Sequence, residues 1–102
     1  MKFIEHCNET EKLFGQTFDY VHKWLDEFAF LPDGLGGTRF NAHHRKYRHH
    51  LAGAEEVFEK WGREAYEAAI RHIKSDLQTG EGLKENEELP KNEQDYVRKG
   101  FF

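Results

Sequence analysis

Two pairs of potential metal ligands occur at the same spacing in this sequence. His22 precedes Asp26 by four residues, and His72 precedes Asp76 by the same interval. Residues four apart on a helix lie on one face, so each pair can direct an imidazole and a carboxylate to one point. Helices present two ligands to one metal ion in this way in helical zinc motifs. The spacing therefore predicts two half-sites that could meet between helices.

The segment 39–62 is a further source of ligands, because it holds four of the seven histidines. At about 100° per residue it reads as one long helix with an inward stripe. The stripe contains Phe40, His44, Tyr47, Leu51, Ala54, Phe58 and Trp61. His43 and His50 lie on its shoulder, and His49 points to the opposite, charged side. We therefore expect His44, with His50 or His43, to face the two His/Asp pairs, and His49 to be a solvated surface residue.

These side chains together form the predicted metal site between helices. Its members are His22, Asp26, His44, His50, His72 and Asp76. Imidazole and carboxylate ligands suit Zn²⁺, Mn²⁺, Fe²⁺ or Ni²⁺, and the sequence does not choose among these ions. Two alternatives compete with this interpretation. The pairs Asp26–His44 and Asp76–His50 could form a buried polar network without metal, or the residues could be scattered over the surface.

The catalytic mechanism that these residues suggest is attack by a metal-activated water on a phosphoester or similar bond, with an aspartate as base. Helical His/Asp clusters carry such chemistry in the HD-type phosphohydrolases. This chain has no adjacent His-Asp doublet. Of its arginines, Arg45 and Arg71 are expected to point away from the site, which leaves Arg48 beside His44. Whether the protein is a hydrolase, or an enzyme at all, stays open.

A second functional hypothesis uses the basic side chains Arg45, Lys46 and Arg48. They belong to the segment 34–54, which contains no acidic residue. Such a group could bind the phosphates of a nucleotide or nucleic acid, or an acidic protein. The net charge of −4 argues against general nucleic-acid affinity. We therefore favour a solvated face that pairs with the acidic C-terminal tail.

The elements that must position these residues are helices, and the predicted class is all-α. Helical spacing of apolar residues predicts a compact bundle of about four helices, at 3–14, 17–30, 39–62 and 63–77. Gly53 interrupts the third helix, and close approach of a neighbouring helix would explain it. We expect residues 1–77 to form the helical domain. Residues 78–102 form a polar tail, packed on the domain or extending from it, with one short helix at 92–99.

The size and composition of the chain limit its class. A length of 102 residues fits one domain. No apolar run approaches the roughly 20 residues needed to cross a bilayer, and the first residues lack the apolar region of a secretory signal. The single cysteine, Cys7, cannot form an internal disulfide. These features predict a cytoplasmic protein without a membrane partner.

The aromatic residues support a third, purely structural interpretation. Aromatic side chains make up 15% of the sequence, and the chain ends in Phe101 and Phe102. These two residues could attach the tail to the helical body or to a second subunit. The protein would then be a structural or homo-oligomeric component without a ligand.

Several short motifs occur in an order that resembles a known family. They are His22-x-Trp24-x-Asp26, His44-Arg45, His49-His50, Gly53, Trp61-Gly62 and His72 four residues before Asp76-Leu77. The order resembles a family of small bacterial and phage proteins that is catalogued only as a domain of unknown function, over about residues 6–77. The resemblance implies a compact helical domain and a shared role for the six residues of the predicted metal site. It implies no activity, and the family pattern lacks the glycine-rich insertion 33–37 and the long tail.

Overall fold

The structure is a computed structural model that describes residues 3–32, 35–36, 38–41 and 44–101. Within these ranges the chain forms six α-helices: α1 (Phe3–Phe14), α2 (Asp19–Leu25), α3 (Arg45–Arg48), α4 (Leu51–Trp61), α5 (Arg63–Gly80) and α6 (Glu93–Arg98). A 3₁₀ turn at Glu27–Ala29 follows α2, and two short strands, β1 (Phe30–Pro32) and β2 (Thr38–Phe40), pair in antiparallel orientation. Helices dominate the architecture, so the predicted all-α class is confirmed.

The hydrophobic core lies between α2, α4 and α5. Helix α5 is the longest element, and its inner face carries small residues such as Ala65, Ala68 and Ala69, which allow α4 to pack closely. The remaining core members on these three helices are Val21, Leu25, Ala54, Val57, Ile73 and Leu77. Gly62 joins α4 to α5 with a φ of 94°, a conformation that glycine adopts without steric cost.

The predicted continuous helix over 39–62 is wrong. Residues 38–40 form strand β2, and the chain then forms two separate helices, α3 and α4, with a break at His49-His50. Because the break changes the direction of the chain, the predicted inward stripe does not form. Four of its members are between 40% and 62% exposed, namely Phe40, Tyr47, Phe58 and Trp61. Helix α4 instead buries Gly53, Ala54 and Val57.

The break at His49-His50 has an identifiable cause in hydrogen bonding. His50 is the N-cap of α4, and its Nδ1 accepts a hydrogen bond from the backbone N–H of Gly53 at 3.1 Å. The first two N–H groups of the helix, those of Leu51 and Ala52, donate to the carbonyls of Pro90 and Lys91, each at 2.9 Å. A helix can start where its first N–H groups find such partners. The C-terminal tail therefore helps to define where α4 begins.

Gly53 is required because the end of the preceding helix, α3, comes close to the first turn of α4, which agrees with the predicted close approach of a neighbouring helix. A Cβ atom at this position would lie 2.1 Å from the backbone oxygen of Arg48. The preceding turn thus folds back onto the first turn of α4, and only a residue without a side chain fits there.

The second helix is shorter than predicted. It begins at Asp19, and its N-cap is Phe18, a buried residue with a φ of 52°. It ends at Leu25, and Asp26 occupies its C-cap. Because the helix ends there, Asp26 has a non-helical backbone conformation, and its Oδ1 is buried in the interior.

The C-terminal segment is packed against the helical body. Leu83 and Tyr96 belong to the core, and the ring of Phe101 contacts that of Tyr96 with centroids 5.5 Å apart. The short helix predicted at 92–99 corresponds to α6, whose N-cap Asn92 accepts from the N–H of Asp95. The division at residue 77 stays a prediction, and Phe102 lies outside the described residues. Every helix within the described ranges is too short or too polar to span a bilayer.

Candidate metal centre

Four side chains each direct one donor atom to a common point inside the protein: Asp26, His49, His72 and Asp76. Asp26 stands at the end of α2, His49 in the turn between α3 and α4, and the other two one turn apart on α5. His49 and His72 are completely buried, and Asp76 is 2% exposed. The side chain of Asp26 is 26% exposed, so it forms the outer edge of this four-residue cluster.

The donor atoms of the cluster are spaced like ligands of a single metal ion. His49 Nε2 lies 3.2 Å from His72 Nε2 and 2.9 Å from Asp76 Oδ2. His72 Nε2 lies 3.1 Å from Asp76 Oδ2. Asp26 Oδ1 lies 3.4 Å from His49 Nε2 and 3.5 Å from His72 Nε2. Ligands about 2.0–2.1 Å from a tetrahedral zinc ion are roughly 3.3 Å apart, so the observed separations fit such an ion.

The hydrogen bonds around His72 determine the tautomer of its neutral ring, and therefore which nitrogen presents a lone pair to the cluster. The hydroxyl of Thr10 donates its proton to a backbone carbonyl, that of His6 at 2.9 Å. Because this proton is used, the Thr10 oxygen accepts a hydrogen bond from His22 Nε2–H at 3.1 Å. A neutral His22 then carries its lone pair on Nδ1, which accepts from His72 Nδ1 at 2.7 Å. The Nε2 lone pair of a neutral His72 consequently points into the cluster. Metal-ligating histidines are typically held in this way by a hydrogen bond from their other nitrogen.

His44 brings a fifth donor to the outer edge of the cluster. Its Nδ1–H donates to the carbonyl of Asn41 at 2.9 Å, which leaves the lone pair of the neutral ring on Nε2. This atom lies 3.4 Å from Asp26 Oδ1, a buried oxygen that has no well-aligned hydrogen bond. Two lone pairs that face each other in the interior repel unless a proton or a cation lies between them.

The electrostatics of the cluster favour the protonation states that metal ligands need at Asp26, Asp76 and His49, but not at His72. Burial would raise the pKa of Asp76 and of Asp26, but the surrounding imidazoles outweigh it and hold both values well below the usual range. Burial lowers the pKa of His22 to about 3 and that of His49 to about 4. Burial also acts to lower the pKa of His72, but hydrogen bonds to the two carboxylates raise it overall. Ionised carboxylates and neutral imidazoles are the forms that bind metal.

His6 supports the cluster from the side of α1. Its Nε2 lies 3.0 Å from Asp76 Oδ1, so the two oxygens of this carboxylate serve different partners. The rings of His6 and His72 stack with centroids 3.7 Å apart. His6, His22 and His72 also form a second buried group of nearby nitrogens. His6 thus fixes the orientation of Asp76, and His22 fixes that of His72, each from the side away from the cluster.

The predicted metal residues are thus placed in four different ways. Asp26, His72 and Asp76 lie in the cluster, while His22 lies behind His72 and His44 lies at the edge. His50 faces away, because its Nε2–H donates to the carbonyl of Tyr47 at 3.0 Å and its Nδ1 accepts from Gly53. Both of its nitrogens are used in capping α4, so His50 is not available as a ligand. The alternative residue, His43, lies outside the described residues.

His49 is the site residue that sequence reasoning missed. The expectation that it is a solvated surface residue is wrong, because it is completely buried in the cluster. The error follows from the assumption of one continuous helix, which placed His49 and His50 on the wrong sides. Gly53 is the sequence signal for the helix break, since the low helix propensity of glycine is better tolerated near a helix start than in a helix interior.

Arg45 is partly buried beside the cluster and does not belong to an outer basic surface. Its Nε lies 3.8 Å from Asp76 Oδ2, and its Nη1 lies 3.8 Å from Glu81 Oε1. The guanidinium also packs directly over Gly80, where a Cβ atom would lie 2.3 Å from Nη1. The prediction that Arg45 points away from the site is therefore wrong.

Arg48 and Lys46 are also engaged within the chain. The guanidinium of Arg48 lies 3.9 Å from the centroid of the Trp24 ring and donates to the carbonyl of Trp24 at 2.6 Å and to Glu27 at 3.2 Å. The Nζ of Lys46 lies 5.3 Å from the ring of Tyr47. The arginines thus stabilise the fold, and the three residues do not form the shared phosphate-binding surface that their sequence positions suggested.

We expect acid to destabilise the metal-free protein. The pKa values of His22 and His49 fall from 6.5 to about 3 and about 4 on folding, so the unfolded chain binds more protons below about pH 6.5. Their contribution to stability is therefore lost as the pH falls from 6.5 toward 4. The two carboxylates act in the same direction at lower pH, because their pKa values are also lowered by folding. His72, whose pKa is raised, opposes the change.

The measurement is the melting temperature in the presence of chelator between pH 7.5 and 4.5. We expect it to fall by several degrees as the histidines of the unfolded chain become protonated. A variant His49→Gln should show a weaker pH dependence, since glutamine has no such proton to take up. A melting temperature that stays constant or rises on acidification would contradict the described burial of neutral histidines.

Comparison with known proteins gives no relative. No protein-family model, curated protein or solved structure matches the chain. The resemblance of its motifs to the family of unknown function stays a prediction. The function of this protein is therefore argued from its buried His/Asp cluster.

Proposed function

We propose that this protein binds one divalent transition-metal ion, with Asp26, His49, His72 and Asp76 as ligands. The observation that carries the proposal is the convergence of four buried donor atoms within 4.8 Å of one another, with the two imidazole nitrogens 2.9–3.5 Å from each other and from both carboxylate oxygens. Nitrogen and oxygen donors of this kind suit Zn²⁺, Mn²⁺, Fe²⁺ and Ni²⁺. Zinc serves as the test ion, because its tetrahedral geometry agrees with these separations.

The charge of the cluster gives a second reason for a cation. The ionised carboxylate of Asp76 is almost fully buried and that of Asp26 is partly buried, and burying charge is costly unless an opposite charge balances it. Arg45 supplies one positive charge, with its Nε 3.8 Å from Asp76 Oδ2. A divalent ion would neutralise both carboxylates directly. The competing arrangement is a metal-free network in which a proton on His72, together with Arg45, balances the same two charges.

The arrangement favours a metal that holds the fold together over a metal that performs catalysis. Four protein ligands are typical of structural sites, whereas catalytic sites keep a coordination position open for water or substrate. The ion would join α2, the α3–α4 turn and α5, which are distant in sequence. Asp26 is the one ligand with a substantially exposed side chain, so a hydrolase would have to admit its substrate at that edge.

Two neighbouring histidines provide a sharp test of the proposal. Elemental analysis of protein purified without chelator or a histidine tag should find about one transition-metal ion per chain. The variant His49→Ala should lose the ion, because it removes a ligand. The variant His50→Ala should retain it, because His50 caps α4 and faces away from the cluster.

Circular dichroism of both variants controls for folding, since loss of the His50 cap alone costs about 0.5–2 kcal/mol. Wild-type protein that is metal-free and does not take up added zinc would overturn the proposal and favour the proton-balanced network. Equal metal content in wild type and folded His49→Ala would exclude this ligand set.

A further inference from the structure

A groove on the surface of α4 and α5 is separate from the metal centre. Two adjoining cavities share Tyr66 as a lining residue and together form this groove. Its floor is apolar and consists of Leu51, Phe58, Tyr66, Ile70 and Leu89. Phe58 is 51% exposed, although its ring contacts that of Tyr66. The groove therefore offers a continuous apolar surface to a partner.

The rim of the groove is acidic. It carries four carboxylates, from Glu55, Glu59, Glu67 and Glu88, and two basic groups, from Arg63 and Lys91. The guanidinium of Arg63 is already paired with Glu67 at 3.6 Å. An apolar floor with an acidic rim is complementary to a surface that is apolar in the middle and basic at its edges.

Glu55 and Glu59 are the most informative part of this rim. They are exposed and four residues apart on α4, and neither forms an ion pair within the described part of the chain. Like charges at this spacing destabilise a helix by about 0.2–0.5 kcal/mol. Cationic side chains of a partner would remove this repulsion.

The wall of the groove on the tail side is held in place by the backbone. The carbonyls of Pro90 and Lys91 accept hydrogen bonds from the first N–H groups of α4, each at 2.9 Å. Leu89 and Lys91 are thereby fixed beside Leu51. A groove with fixed walls loses little conformational entropy when a ligand binds.

We propose that this groove binds one basic amphipathic helix of a partner protein. Apolar side chains at i, i+3 or i+4, and i+7 of that helix would occupy the floor, as in other helix-in-groove complexes. Its Lys and Arg side chains would face Glu55, Glu59 and Glu88. The lining residues on α4 run from Leu51 to Glu59, which corresponds to about 12 Å of helix, so the groove accommodates about two turns of the partner.

The probe for this proposal is a fluorescein-labelled synthetic peptide of about 14 residues, with leucines on one helical face and lysines on the other. Fluorescence anisotropy should show saturable binding that weakens with added salt, because the rim contacts are ionic. The variant Glu55→Lys/Glu59→Lys should bind at least about tenfold more weakly. The variant Phe58→Ala should also bind more weakly, because it removes an apolar side chain of the floor that is 51% exposed.

Two controls separate a defined groove from general charge attraction. The variant Glu5→Lys/Glu11→Lys changes the net charge by the same amount as Glu55→Lys/Glu59→Lys, but at exposed positions of α1. This variant should bind the peptide like wild type. A peptide of the same composition with its leucines scattered around the helix should bind much more weakly. The proposal is overturned if no saturable binding occurs, if both double variants lose affinity equally, or if the scattered peptide binds as well.

Discussion

Addition of zinc to the chelator-treated protein is expected to raise its melting temperature by about 10–20 °C. An ion present at 100 times its dissociation constant stabilises the folded state by about 2.7 kcal/mol. For a domain of this size, each kcal/mol corresponds to roughly 4–8 °C. The physical reason is that the four ligands come from three separate parts of the chain, which the unfolded state does not bring together. The measurement is a thermal melt followed by circular dichroism at pH 7.5.

Magnesium at the same concentration is the control ion, and it should produce little change. It requires near-ideal octahedral oxygen ligands and retains its waters, whereas this cluster offers two imidazoles. The variant His49→Ala should not respond to zinc, and His50→Ala should respond like wild type from a lower starting temperature. A similar zinc response in wild type and His49→Ala would mean that zinc binds elsewhere.

The variant Gly53→Ala is expected to lose about 2–3 kcal/mol of unfolding free energy, because its Cβ would overlap a backbone atom. That atom is the carbonyl oxygen of Arg48, at 2.1 Å from the position of the new Cβ. Exchange of glycine for alanine in an ordinary helix has the opposite sign and adds up to about 1 kcal/mol. Urea denaturation of the metal-free protein measures the difference. Because the displaced turn carries His49, we also expect weaker zinc binding.

Gly80→Ala is the matched control for this substitution. The new Cβ would again meet a close atom, at 2.3 Å, but that atom is Nη1 at the flexible end of the Arg45 side chain. We therefore expect a change within about 0.5 kcal/mol, since the arginine can move aside. If Gly53→Ala were as stable as wild type, the close return of the α3–α4 turn onto α4 would be incorrect.

Local patterns in the sequence were sufficient for several elements and for three of the four cluster residues. Helices α1 and α5 and the short α6 follow from the spacing of apolar residues and from glycine, proline and asparagine at their ends. His72 and Asp76 could be paired because four-residue spacing fixes neighbours on a helix. Asp26 was found by the same argument, although it lies just after the helix and not within it.

The tertiary structure alone decided which of the two adjacent histidines enters the cluster. Helix α4 begins at Leu51 because its first N–H groups are satisfied by His50 and by the carbonyls of Pro90 and Lys91. These carbonyls lie about forty residues further along the chain, beyond the reach of any helical periodicity. The resulting turn places His49 inside and His50 at the cap. A distant backbone contact therefore determines which histidine enters the cluster, and Gly53 is the sign of this break in the neighbouring sequence.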